Sequence, residues 1–413
     1  MNSLFIVIMK KMHFSKILLV VFLLSNLVDT KSYGQSTSNY EFGSGLHFES
    51  SDQNYQFDLG GLMLPYISYE SLNDETTNMY YGSKRTFFHF KANSEKENVS
   101  AYFLTDFSSN NPLLEAWVSY KPVDRLSFTF GQFRSIANNR EMLMFENSLA
   151  NFSRSLLSQT FNATGREFGL NCSYMIGHSD FSLIPMIQIT SGDGLNSFGV
   201  DSRDVDLGGL KYASRIDVYP LGLFKEGQVQ SVNDYAHEES LKLVIGAAAS
   251  YNDGASNSVG EGHGDFYLYN SLNQIMLPDY RELNFDLISK YKGFSLMAEY
   301  SISTATGLEG LVTESLIQTL QPTEISNYLA LGSGLSAQLF YTSKSGYSAG
   351  FVYSAIQPEF DHQNSLIKDV NMKRVVISKR VKDTAVIIQN SFDILTISDV
   401  KTLNYQFLVQ LEF

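Results

Sequence analysis

The chain ends on "TLNYQFLVQLEF", residues 402 to 413. Leu403, Tyr405, Phe407, Val409, Leu411 and Phe413 fall on one face of an extended strand. Asn404, Gln406, Gln410 and Glu412 fall on the other, with Leu408 as the exception. A period of two marks a strand whose two faces meet different surroundings. "GREFGLNCSYMIG" repeats the pattern, setting Phe168, Leu170, Cys172, Tyr174 and Ile176 against Glu167, Gly169, Asn171 and Ser173. "RELNFDLISKY" and "FSLMAEYSIS" repeat it again and form a hairpin across Lys292 and Gly293.

Comparable segments lie near 55–69, 84–92, 98–107, 113–121, 125–134, 180–190, 204–219, 241–252, 328–341, 346–357, 372–382 and 384–394, with a weaker one at 42–49. Their lengths suit tilted strands that cross a bilayer in about 9 to 11 residues. Polar turns of uneven length separate them, as in "NDGASNSVGEGHGDFYLYNSLNQIMLPD" from Asn252 to Asp279. Bacterial single-chain barrels use an even number of strands. The sequence therefore predicts an all-β, transmembrane antiparallel β-barrel of 16 strands, with 18 as the alternative count. Apolar faces would meet lipid, polar faces a wet lumen, and closure would pair every backbone group that lipid leaves unsatisfied.

Composition agrees: 24 Tyr, 30 Phe and only 8 Pro favour strands. The N-terminus carries Lys10, Lys11 and Lys16, the apolar run "ILLVVFLLSNLV" and small residues at Ser32 and Gly34. This predicts a secretory signal peptide over 1–34 and a barrel over 35–413. No later stretch approaches 18 consecutive apolar residues, so no helical span is expected after it. Removing 1–34 takes away four lysines and one aspartate and moves the net charge from −13 to −16, which argues against nucleic acid as a partner. Cys172 is the only cysteine, and the histidines form no pair at metal-ligand spacing, so no metal and no cofactor are expected.

"EAWVSYKPVDRLSFTFGQFRS" (115–135), the long segment that follows it, "GREFGL" and the later "QITSGDGLNS" together resemble the phosphate-selective porin O and P family. The resemblance implies a 16-stranded, homotrimeric outer-membrane porin with an inward-folding loop after the "GQF" strand. It also implies that the terminal Phe413 is read by the outer-membrane assembly machinery. The arginine ladder and lysine cluster that line the pore in that family have no counterpart in this sequence.

Arg134, Arg140, Arg154 and Arg166 gather in and around residues 136–164, a segment longer than an ordinary connection. If it folds inward it becomes a constriction, where rings of arginine select anions. Otherwise these arginines form a solvated external patch. Parity places Arg85, His89, Lys91, Glu115, Lys211, Arg215, Asp286 and Glu299 on the lumen face. "SGDGLNSFGVDSRDVD" supplies Asp193, Asp201, Asp204 and Asp206, without the spacing of a Ca²⁺ hand. "GYSAG" (346–350) matches a nucleophile elbow but falls inside a strand, without the strand-to-helix turn that chemistry needs. The expected function is passive diffusion of small hydrophilic solutes, possible preference being for anions such as phosphate, and no enzyme activity is expected. Alternatives are a barrel enzyme (lipase or protease), which needs a Ser/His or Asp/His pair at the rim, and a structural or adhesive barrel. A gated transporter would need a larger N-terminal plug than the roughly 20 residues before the first strand allow.

Overall fold

Alternating segments become strands of one antiparallel sheet that closes on itself. The computed structural model describes residues 37–413 except 73–74, 196–207, 226–227, 262–263, 314–318, 382–384 and 398–399. Residues 1–34, expected to be a signal peptide, and Asp201, Asp204 and Asp206 lie outside the described residues. In chain order the strands are β1 (Thr37–Glu41), β2 (Gly45–Glu49), β3 (Tyr55–Leu72), β4 (Glu75–Ser94), β5 (Val99–Asp106), β6 (Leu113–Val123), β7 (Leu126–Arg134), β8 (Arg166–Tyr174), β9 (Ile176–His178) and β10 (Phe181–Thr190). There follow β11 (Lys211–Tyr219), β12 (Lys242–Asn252), β13 (Asp279–Tyr291), β14 (Phe294–Thr306), β15 (Gly332–Thr342), β16 (Tyr347–Pro358), β17 (Val370–Arg380), β18 (Val386–Ile397) and β19 (Val400–Glu412).

β19 pairs with β3 from Thr402↔Leu72 to Glu412↔Leu62, which closes a barrel of 16 strands. β9 prolongs β8 along β10, and the β1–β2 hairpin stands outside the count. It carries the wall on where β19 stops: β2 takes the stretch of β3 from Gln56 to Leu59. The weak segment at 42–49 thus belongs to this hairpin, and the described part of 204–210 is not strand.

Each alternation has resolved into an outward apolar and an inward polar face. Phe168, Leu170, Phe285, Phe294, Leu296 and Phe351 are exposed on the outside of the barrel. Glu167, Asn284, Asp286 and Glu299 are buried inside it. Among the described residues no helix is long and apolar enough to cross a membrane. One end of the barrel carries tight turns, such as Lys292–Gly293 between β13 and β14. The other carries long connections, at 135–165, 191–210, 253–278 and 307–331. One departure is residues 220–241, a long connection at the tight-turn end.

Two of these segments enter the lumen. Residues 135–165, the inner loop, contain the short helices α1 (Arg140–Leu143) and α2 (Leu156–Phe161), and Ser155 Oγ caps α2 by accepting from Ser158 N at 3.3 Å. Met144, Leu149 and Ala150 of this loop pack with Phe224 and Val232 of the 220–241 segment against inward Val244, Ile288, Met297, Phe340, Val352 and Val376. Leu157 and Phe161 of α2 pack on Ile356 and Val370. The 253–278 and 307–331 connections form a further apolar cluster at the long-loop end, with Leu268, Leu311 and Ile325 at its centre. The wall makes room by omitting side chains. A Cβ on Gly246 would lie 2.5 Å from Arg140 Nη2, and one on Gly334 would lie 2.6 Å from Leu157 Cδ1. The barrel half bounded by β11–β17 is therefore packed like a protein interior.

Candidate functional site

The opposite half, bounded by β3–β8 with β18 and β19, is hollow. Its wall carries Leu62, Leu64, Phe87, Leu104, Leu114 and Leu408, covered by Phe152 of the inner loop. Leu408, the exception in the terminal alternation, is inward and apolar because it meets this patch. Two cavities flank the loop here. The outer one, of about 680 Å³, is bordered by Lys84, Arg85, Ser109, Arg154, Arg166 and Leu195 among others. The inner one, of about 440 Å³, opens toward the tight-turn end and is bordered by Asp58, His89, Lys91, Tyr102, Phe145 and Phe413 among others. Glu146 borders both.

Glu146 is held there by three arginines. Arg134 Nη2 donates to its Oε2 at 2.8 Å, while Arg154 Nη2 and Arg166 Nη2 donate to its Oε1 at 3.0 and 2.8 Å. Glu115 closes the cluster by accepting from Arg134 Nε at 2.7 Å and from Arg166 Nη2 at 3.3 Å. The Arg134 guanidinium also lies 4.4 Å from the centre of the Phe145 ring and donates to Met144 O. Burial alone would raise the Glu146 carboxyl, but the guanidiniums of Arg134, Arg166 and Arg154 outweigh it and hold the group well below the usual carboxylate range. Two carboxylates thus face three guanidiniums in this cluster, and the Glu141 carboxylate also acts on Arg154.

Arg140 stands elsewhere. Its Nε donates to Asp286 Oδ1 at 2.8 Å, and its Nη1 and Nη2 fork onto Asp217 at 2.8 and 2.7 Å. Arg215 bridges the same two aspartates and donates Nη1 to Asn138 O at 3.1 Å. The two aspartates raise the Arg140 guanidinium even against its burial. Of the four candidate arginines, Arg140 stands apart from the other three: wall aspartates neutralise it in the filled half and it borders neither cavity. Lys211, Arg215, Asp286 and Glu299 do point inward, as parity predicts, but the inner loop and outer connections cover them, so they do not meet a water-filled lumen. Lys211 binds Glu261 at 2.7 Å, and Glu299 Oε1 accepts from Asn139 Nδ2 at 2.9 Å and from the Glu141 backbone at 2.8 Å. Arg85, His89, Lys91 and Glu115 lie in the hollow half.

Phe413 departs from its predicted lipid face. It follows the last residue of β19, exchanges backbone hydrogen bonds with Gly61 at 2.7 and 3.0 Å, and borders the inner cavity. The site also contains residues that sequence reasoning missed. Glu146 stands in "MLMFENSL" without any pattern to flag it. Lys84 is turned inward at a register shift between β3 and β4, donating to Gln406 Oε1 at 2.8 Å and to Ser153. Arg374 and Asp393 form a bidentate pair at 2.6 and 2.8 Å, and Arg374 Nη1 donates to Ser153 O at 3.1 Å.

Two other arrangements bear on chemistry. Ser326 Oγ and His362 Nε2 lie 2.8 Å apart at the long-loop end. His362 Nδ1 accepts from the Asn364 backbone, so the proton sits on Nε2, and Ser326 Oγ donates to Thr323 O at 2.8 Å. The pair ties two connections together and has no base aimed at the hydroxyl. Among the described residues no group of three or more His, Cys, Asp or Glu could hold a metal ion.

No protein-family model and no curated protein sequence matches the chain. Solved structures do. An anion-selective porin from Comamonas acidovorans superposes with a TM-score of 0.55 at 9% identity, over 87% of this chain and 100% of that one. The outer-membrane channel DcaP of Acinetobacter baumannii gives 0.53 at 12% identity, over 89% and 99%. OprB of Pseudomonas putida gives 0.53 at 11% identity, over 86% and 94%. The chain has the fold of outer-membrane barrels. At such identities the likeness extends to the fold alone.

Proposed function

We propose that this barrel is a passive diffusion channel of the outer membrane for small hydrophilic solutes, with a preference for anions, phosphate among them. The observation that carries the reading is the position of Glu146, which borders both lumen cavities and is held by Arg134, Arg154 and Arg166. Lys84, whose partners are the neutral Ser153 and Gln406, adds positive charge on the outer side. The whole chain is acidic, but salt at about 0.15 M screens charges beyond about 8 Å, so the groups lining the narrow passage decide. Guanidinium donors suit oxyanions. The three structural relatives are outer-membrane proteins, two of them described as a porin or channel, and this supports the channel reading over a catalytic or adhesive barrel. We further take the protein to be a homotrimer, as the family resemblance implies, with Phe413 as its assembly signal.

The test is the reversal potential of purified protein in planar bilayers under a KCl gradient. Wild-type protein should prefer chloride. Glu146→Gln removes the carboxylate that the three arginines share and should move the reversal potential further toward chloride. A cation-selective wild type, or a shift toward potassium in the variant, would refute the reading.

A further inference from the structure

The outer cavity combines features that an open water passage does not need. Arg166 is only 5% exposed, borders this cavity, and makes its hydrogen bonds through Nη2, while its Nη1 has no hydrogen-bond partner among the described residues. A buried guanidinium donor left unmade costs stability unless a ligand or water meets it. Lys84 borders the same cavity and forms no ion pair among the described residues, since its partners are the neutral Gln406 and Ser153. Glu146 is the only carboxylate in the lining, and it is already taken up by three arginines. Beside these cations stand Leu114, Met142 and Phe152, an apolar wall facing the same space.

We infer that the outer cavity is a binding site for small organic oxyanions that carry a short apolar body, such as short-chain carboxylates. The oxyanion would be met by Lys84 and the unpartnered Arg166 donor, and the hydrocarbon would lie against Leu114 and Phe152. Inorganic phosphate could use the donors but would leave the apolar wall wet. An amphiphilic anion uses both, and a volume of about 680 Å³ is in the range of small-molecule sites. This inference rests on the channel reading for its physiological sense, since a solute held here stands directly above the Glu146 junction.

Calorimetric titration of the folded barrel in detergent tests the site without requiring conduction. The probes are acetate, propionate, butyrate, valerate and inorganic phosphate at one pH and ionic strength. Affinity should rise about fourfold with each added methylene, and butyrate should bind more tightly than phosphate. Lys84→Met breaks no ion pair and should weaken every carboxylate about tenfold. Leu114→Ser should flatten the chain-length dependence, weakening valerate more than acetate. A chain-length trend in a protein that conducts no ions would sink the channel reading and keep the site. Conduction without binding, phosphate as tight as butyrate, or a flat series in the wild type would overturn the inference.

Discussion

The two halves of this lumen have walls built on the same rule and contents of opposite kind. Along β11–β17 the wall carries an inward apolar patch and glycines such as Gly246 and Gly334, and the inner loop with the 220–241 segment fills the space beside them. Along β3–β8 the same loop only bridges an inward apolar patch, and two cavities remain. The polar groups differ accordingly. In the filled half guanidiniums and carboxylates pair with one another, as in the Arg140, Arg215, Asp217 and Asp286 square. In the hollow half Lys84 forms no ion pair among the described residues and Arg166 Nη1 has no hydrogen-bond partner among them, and both residues border open space. Facing the lumen thus defines two environments, one a dry core and the other a passage.

The comparison breaks most completely if the filling is removed. Replacing residues 137–163 with a short Gly/Ser linker should leave the barrel closed, because its 16 strands pair without that loop. Single-channel conductance should then rise severalfold and anion preference should fall. An unchanged conductance would mean that the loop does not obstruct the path.

Charge placement sharpens the comparison at the level of stability. Phe285→Arg puts a charge on the lipid face and should cost about 2–4 kcal/mol in urea unfolding from lipid. Parity alone would let the neighbouring Asn284→Lys cost little. In the structure Asn284 is fully buried in the filled half, donating to Ala137 O at 2.6 Å and Glu282 Oε1 at 2.8 Å, so that change should cost more than about 2 kcal/mol. Lys91→Gln, inward but beside the inner cavity, should stay within about 0.5 kcal/mol.

A smaller effect should appear with pH. Glu146 has its acidity strengthened in the folded protein relative to its ordinary value of 4.5. Its stabilising contribution is therefore fully present above that value and is lost only as pH falls below it toward the lower folded value. Conductance and selectivity should stay constant from pH 7 to about 5 and change only well below 4.5. A midpoint at or above the ordinary carboxylate value would show that the arginine cluster does not grip Glu146.

The wall of this molecule was legible from period-two alternation because lipid outside and polar groups inside impose it on each strand. The segments expected at 281–291 and 346–357 appear as β13 and β16 with shifts of one or two residues at their ends. What fills the barrel was not legible. Val244, Ile288, Met297 and Val376 stand at inward positions where alternation leads one to expect polar residues, and only the segments packed on them explain why. Period fixes which face a side chain takes and says nothing of what that face meets. The ion pairs were hidden for a similar reason: Arg140 finds Asp217 and Asp286 through the path of a loop, which no local spacing encodes. Leu408 was the one visible hint, an inward leucine in a polar row.

Thiol labelling during conduction tests most directly whether solutes pass through the hollow half alone. In a Cys172→Ser background, single cysteines would replace Ser109 at the outer cavity, Ser148 at the inner cavity, and Ser336 or Ser354 in the filled half. A small anionic thiosulfonate would be added to open channels in a planar bilayer. Current should fall as Ser109→Cys and Ser148→Cys react, and should not change for Ser336→Cys or Ser354→Cys. Block at the filled-half positions, or no block at the two cavity positions, would contradict the account.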